Sequence, residues 1–334
     1  MTENKAKESL LLKVAKHREF GLIVFIILLS IIIQVINSSF LTLSNLNDLL
    51  TNTSILIILS IGMLMILLTR GIDLSIAATL ALSGMITAQM LKIFPETHPI
   101  IAILIGVGIG IICGLILGIL VSKIGILPII ASLGLMYVYR GLTFMVAKGE
   151  WVNAHQMPAS FKAIATSKIL GVNTLIFIAI IVFLFFWYFM TYTITGRRIY
   201  AVGSNPESAI ISGIKVDRIL ILVYCMMGGL AGLSGVLWVS QYASAQGNTA
   251  SGYELTVIAA CILGGVSING GIGKITGVLL GAILLGILNN ALPLIHVSPF
   301  WQMAIEGGII LFAVIFNVIV NRRYEENQLL RRVI

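Results

Sequence analysis

The chain has 334 residues, 58% of them apolar and 10% charged, with a mean hydropathy of +1.06. Apolar side chains far exceed what a soluble core of this length needs, so the surplus faces lipid and a soluble globular protein is excluded. The net charge of +8 does not mark a nucleic-acid binder, because the basic residues are not gathered into one patch with interleaved aromatics.

Crossing a bilayer takes about 20 mostly apolar residues per helix. Runs of that kind lie at roughly 20–36, 54–69, 72–91, 99–121, 126–147, 173–193, 219–240, 254–268, 275–291 and 299–320. The expected fold class is therefore all-α: a polytopic integral membrane protein of about ten transmembrane helices. A single membrane domain over 20–320 is flanked by a cytoplasmic N-terminal segment at 1–19 and a cytoplasmic tail at 321–334. The first run, from Gly21 to Ile36, lacks a small-residue cleavage site and reads as a retained anchor.

The positive-inside rule orients the spans. With the N-terminus inside, the cytoplasmic segments carry Lys5, Lys7, Lys13, Lys16, Arg18, Arg70, Lys123, Arg197, Arg198, Lys215, Arg218, Lys274, Arg322, Arg323, Arg331 and Arg332. Only Lys92, Lys148, Lys162 and Lys168 fall outside, and Arg140 lies within a span. A miscounted span would scramble that skew, so the placement supports an even number of spans with both termini inside. The longest external segment is 148–172 and the longest internal loop is 194–218.

Small residues recur on helix faces at Gly106, Gly110, Gly114 and Gly118, and again at Gly273, Gly277 and Gly281. In lipid such stripes let helix backbones approach closely; they mark either static packing or a moving interface, within one chain or between two. Ser75, Thr79, Ser83 and Thr87 share one face of another span. With Asp73, Asn289, Asn290, Gln241 and the external stretch 241–253, they are candidates to line a path for a polar, uncharged solute. The alternative for the hydroxyls is bonding to their own backbone or to neighbouring helices.

Charges within spans are costly and need partners. Arg140 and Glu306 are the deep ones, and a structural ion pair between them is the expected arrangement; a proton relay is not indicated. Cys113, Cys225 and Cys261 sit in apolar runs as small hydrophobes. The histidines, His17, His98, His155 and His296, lack metal-ligand spacing, so no metal site is expected.

Residues 264–276, GGVSINGGIGKIT, look like a phosphate loop but are not one. That motif needs Gly where Ile268 stands and Ser or Thr where Ile275 follows Lys274. No nucleotide site is encoded here. The internal loop is more informative. Asn205-Pro206-Glu207 is a helix start, Pro fixing φ and Asn205 or Ser204 capping free N–H groups, and Gly213 offers a stop. The short amphipathic run between them is either a solvated loop helix or an element held on the cytoplasmic side to receive mechanical force from a partner.

The loop TGRRIYAVGSNPESAIISGI resembles the cytoplasmic loop of bacterial carbohydrate ABC-importer permeases, the ribose, galactose, xylose, arabinose, rhamnose and autoinducer-2 type. LLTRGIDLSIAATLALSGMITA at 67–88, LPIIASLGLMYVYRGLTFMVAKGEWV at 127–152 and ELTVIAACILGGVSINGGIGKITGVLLGA at 254–282 resemble further segments of that family, in the family's order. Thr69-Arg70 and the Gly149–Trp151 stretch depart from the common sugar pattern towards the autoinducer-2 and rhamnose branches.

The resemblance implies a non-enzymatic transport subunit of the inner membrane. It would pair with a second permease copy or paralogue, two ABC ATPase subunits that hold ATP and magnesium, and an external or periplasmic solute-binding protein. No cofactor is implied in this chain. The loop residues that match are Gly196, Arg197, Arg198, Ala201, Gly203, Asn205, Pro206, Glu207, Ala209 and Gly213, expected to contact the ATPase. A secondary sugar carrier without ATP coupling is the alternative reading; a membrane enzyme would need clustered His, Asp or Ser at one face, which the sequence lacks.

Overall fold

The computed structural model describes residues 18–298 and, beyond them, 300–305, 307–309, 311 and 315. Residues 1–17 of the N-terminal segment expected at 1–19, the tail expected at 321–334 and the residue Glu306 lie outside the described residues.

The chain is helical, with two residues in each strand of one small hairpin. In chain order the helices are α1 (Arg18–Ile36), α2 (Leu43–Leu68), α3 (Ile76–Ile93), α4 (Pro99–Ile119, continued by a π turn to Ile124), α5 (Pro128–Ala147), α6 (Ala159–Thr166), α7 (Thr174–Tyr192), α8 (Ile194–Ser204), α9 (Pro206–Ile211), α10 (Val216–Tyr242), α11 (Tyr253–Leu263) and α12 (Ile275–Leu294). Eight of the described helices, α1 to α5, α7, α10 and α12, are long and apolar enough to cross a membrane. Helical structure resumes at residue 300, where the last span is expected.

Two spans differ from the sequence reading. α2 begins at Leu43 rather than 54, because Thr42 caps it by accepting from the Asn45 N–H, and its polar first turns run on beyond the apolar stretch. The apolar run at 254–268 holds a helix of only 11 residues. At 1.5 Å per residue that is about 16 Å, roughly half the hydrocarbon thickness. Gly265, in the left-handed region, ends it, and residues 264–274 continue as turns. Their backbone is satisfied within the protein: the Val266 N–H donates to Cys261 O, the Ser267 N–H to Ile272 O and the Gly271 N–H to Leu68 O. Irregular backbone next to lipid requires that kind of cover.

α2 and α10 form the centre. From Met63 to Leu68, α2 is wholly buried. α10 packs along α4 through glycines on both sides: a Cβ on Gly110 or Gly114 would run into the backbone carbonyls of Gly228 or Tyr224, and one on Gly232 into that of Gly106. The Gly106–Gly118 stripe is thus an intrachain backbone contact, in which van der Waals packing replaces the hydrophobic collapse unavailable in lipid. Gly277 and Gly281 do the same against Gly264 and Ala260 of the α11 segment; Gly273 stands outside that stripe, in the turn before α12.

Contacts between loops sort by the end of the bundle. At one end Lys123 pairs with Asp217 at 2.7 Å and Lys274 with Glu19 at 3.1 Å. At the other, Asn45 and Asn290 exchange amide hydrogen bonds, Asn37 donates to Leu294 O, and Val152 bridges Ala245. The first end carries the basic residues assigned to the cytoplasm.

Candidate functional site

At the end assigned to the cytoplasm by its basic residues, α8 and α9 form the loop 194–218. Thr193 caps α8 by accepting from the Gly196 N–H at 3.0 Å. Asn205 caps α9 by accepting from the Ser208 N–H at 2.9 Å, Pro206 occupies the first turn, and Gly213 leaves the helix with φ +77°. The start and stop read from Asn205-Pro206 and Gly213 are where the chain places them. Ala201 is half-buried, Gly196, Gly203 and Ala209 are buried, and Arg197, Arg198 and Glu207 are exposed. On α9, Ile210 and Ile211 project outward, 61% and 87% exposed.

The loop is seated on the membrane helices mainly through backbone. Arg70, itself in the left-handed region at the end of α2, donates from Nε to Gly203 O and from Nη2 to Ser204 O, both at 2.7 Å. These two bonds satisfy carbonyls at the C-terminus of α8, where a cation also complements the helix dipole. Gly203 lies so close to Leu68 that a Cβ there would collide with the Leu68 carbonyl and crowd the Gly271 nitrogen, whose N–H donates to that same carbonyl at 2.9 Å. Tyr200 donates to Gly273 O at 2.8 Å, and burial pushes its phenol above the ordinary range, keeping the proton on the donor.

The glycine-rich stretch 264–274 and Arg70 are therefore the seat of the loop, a role sequence reasoning missed. The available signals were a basic residue directly after a span and a glycine cluster with no nucleotide to bind.

At the opposite end of the bundle a cavity of about 260 Å³ lies between α2, α10, α11 and α12. Its wall combines aliphatic side chains of α2 with the aromatic rings of Trp238, Tyr242 and Tyr253 and the amides of Asn52, Asn289 and Asn290. Trp238 has Tyr253 edge-on at 5.3 Å and Tyr242 tilted at 5.0 Å. Gln241 donates to Asn52 at 2.9 Å, bracing α10 against α2.

Of the residues singled out for a path, Asn289 and Asn290 line this cavity, as do Tyr242 and Tyr253 of the 241–253 stretch. Asp73, Ser75, Thr79 and Ser83 are buried elsewhere. Asp73 accepts from the Ser75 N–H and Oγ, at 2.8 and 2.6 Å, shaping the turn into α3. Ser83 donates to Gly232 O, tying α3 to α10. Arg140 donates to the carbonyls of Gly247 and Thr249 in the external loop, at 3.0 and 2.7 Å, with Glu254 a carboxylate in electrostatic reach. Glu306, the partner expected for Arg140, lies outside the described residues.

A family model described as "Branched-chain amino acid transport system / permease component" matches residues 45–314. The ribose import permease protein RbsC of Bacillus subtilis (strain 168) is 39% identical over 300 residues, covering 90% of this chain and 92% of that protein. RbsC of Escherichia coli (strain K12) is 38% identical over 297 residues, 88% of this chain and 92% of that protein. The L-arabinose ABC transporter permease protein AraH of Azospirillum brasilense is 33% identical over 309 residues, 92% of this chain and 88% of that protein. No solved structure matches. With eight helices of membrane-crossing length among the described residues and that match over most of its length, the chain belongs to the inner-membrane permease family of ABC importers that includes the ribose and arabinose permeases.

Proposed function

We propose that this chain forms the translocation pathway of an ABC importer for a monosaccharide or sugar-like solute. An external binding protein delivers the solute. Separate ATPase subunits hold ATP and magnesium, and a second permease, identical or paralogous, completes the membrane unit. The observation that carries the reading is the build of the α8–α9 loop. α9 offers two exposed isoleucines to a partner, while α8 behind it is fixed to the ends of α2 and α12 by Arg70, Tyr200 and Gly203. A displacement of α9 by a bound ATPase would reach those spans through hydrogen bonds and backbone contact rather than be lost in a flexible tether.

Ribose, arabinose and galactose are the solutes to try first, since they give the relatives their names. Autoinducer-2 is a further candidate, from the Thr69-Arg70 and Gly149–Trp151 departures. Deleting or charge-reversing Glu207–Gly213 should abolish ATP-driven uptake of the transported sugar while the spans still fold and insert, measured as uptake into energised vesicles beside the yield of monodisperse protein. Uptake at the normal rate by such a variant would remove the loop's coupling role.

A further inference from the structure

We infer that the external cavity between α2, α10, α11 and α12 is a transit site for one uncharged polyhydroxyl ring, and that it excludes charged solutes. The inference rests on the permease role proposed above and gives it a site. Three features of the lining point to it.

The first is the aromatic wall. Trp238, held edge-on by Tyr253 and flanked by Tyr242, offers an apolar face to the C–H side of a sugar ring while the ring's hydroxyl rim stays free. The second is the set of amides. A hydroxyl both donates and accepts, and so does an amide, so Asn52, Asn289 and Asn290 can serve hydroxyls in several orientations. Two of them are already bonded to amides across helix boundaries, Asn52 to Gln241 and Asn290 to Asn45, at 2.9 to 3.1 Å. A passing hydroxyl can exchange with such a neutral bond at little net change in free energy.

The third feature is the absence of charge. None of the described lining residues is Asp, Glu, Lys, Arg or His. A phosphate, or the ammonium and carboxylate of an amino acid, would lose water in a space of about 260 Å³ with no counter-charge to replace it. The volume is just under the range of about 300–1,000 Å³ common for sites of drug-sized ligands, which suits a single small solute. The matching family model is described for amino-acid transport, so the cavity makes a choice between two solute classes.

The test uses the complete importer in its native membrane vesicles, with ATP and radiolabelled ribose, arabinose or galactose, the fastest of the three being followed. Trp238→Ala and Asn289→Asp are each expected to lower uptake tenfold or more, the first by removing the stacking face and the second by placing a carboxylate in a neutral wall. Trp238→Phe should stay within about threefold of wild type, since an aromatic face remains. ATPase recovery on co-purification reports whether each variant assembles, and Asn289→Asp, at an exposed wall position, decides the matter if Trp238→Ala fails to assemble. Uptake by Asn289→Asp within twofold of wild type would overturn the transit site and leave the permease role standing. A wild-type complex that imports none of the three sugars and no autoinducer-2 removes the permease proposal, and the transit site with it.

Discussion

The two ends of the bundle are built from different materials. At the end assigned to the cytoplasm the contacts that seat the α8–α9 loop involve backbone: Arg70 on two carbonyls, Gly271 on the Leu68 carbonyl, Tyr200 on the Gly273 carbonyl, and a glycine where any side chain would collide. Around the cavity at the other end they are side chain to side chain: amide pairs and a three-ring aromatic cluster. Backbone contacts fix distance and admit no alternative rotamer, as a part that transmits displacement requires. Amide and aromatic side chains can re-pair with a solute and with each other, as a part that must let its ligand go requires.

That contrast can be broken in steps. Gly203→Val should have the largest effect, because its Cβ would meet the Leu68 backbone, which cannot give way as a side chain could. Overpacking of this kind costs about 1–3 kcal/mol, and uptake per ATP hydrolysed should fall roughly tenfold or more. Arg70→Ala follows. It removes two charge-assisted bonds, and with one of them near solvent a loss of about 2 kcal/mol is expected, seen as weaker coupling with ATPase binding intact. Arg70→Lys should restore little, since an ammonium lacks the fork that reaches both carbonyls. Asn45→Ala removes one neutral amide pair beside the cavity, worth about 1 kcal/mol, and uptake should change by roughly threefold or less. Lys123→Ala should be nearly silent: its pair with Asp217 is half exposed and such pairs contribute about 0–1 kcal/mol. An Asn45→Ala effect larger than that of Gly203→Val would reverse the contrast.

Much of this was legible in the chain itself. Hydropathy located the spans because lipid imposes length and apolarity on each one separately, and the loop helix could be read because caps are local: Asn205, Pro206 and Gly213 each act within a few residues. The seat of that helix could not be read. Arg70 and Gly203 are 133 positions apart, and nothing local says which carbonyls a guanidinium will find. For the same reason the bonds from Arg140 to the carbonyls of Gly247 and Thr249 could not be read, since backbone acceptors leave no mark in a sequence. The break after α11 was hidden because a buried half-span is as apolar as a full one; Gly264 and Gly265 were the only local sign of it. The cavity draws on four helices, for which the sequence had suggested Asn289, Asn290 and the stretch 241–253 but not the α2 wall or Trp238.

The most direct test of the coupling account is affinity purification of the chain in detergent from its native cells, once as wild type and once as Ile210→Asp/Ile211→Asp. Recovery of an ATPase subunit carrying a phosphate loop with the wild type, and its loss with the variant at unchanged permease yield, is the predicted result. A permease that purifies without any ATPase, or one that retains the ATPase equally in both forms, would contradict the account.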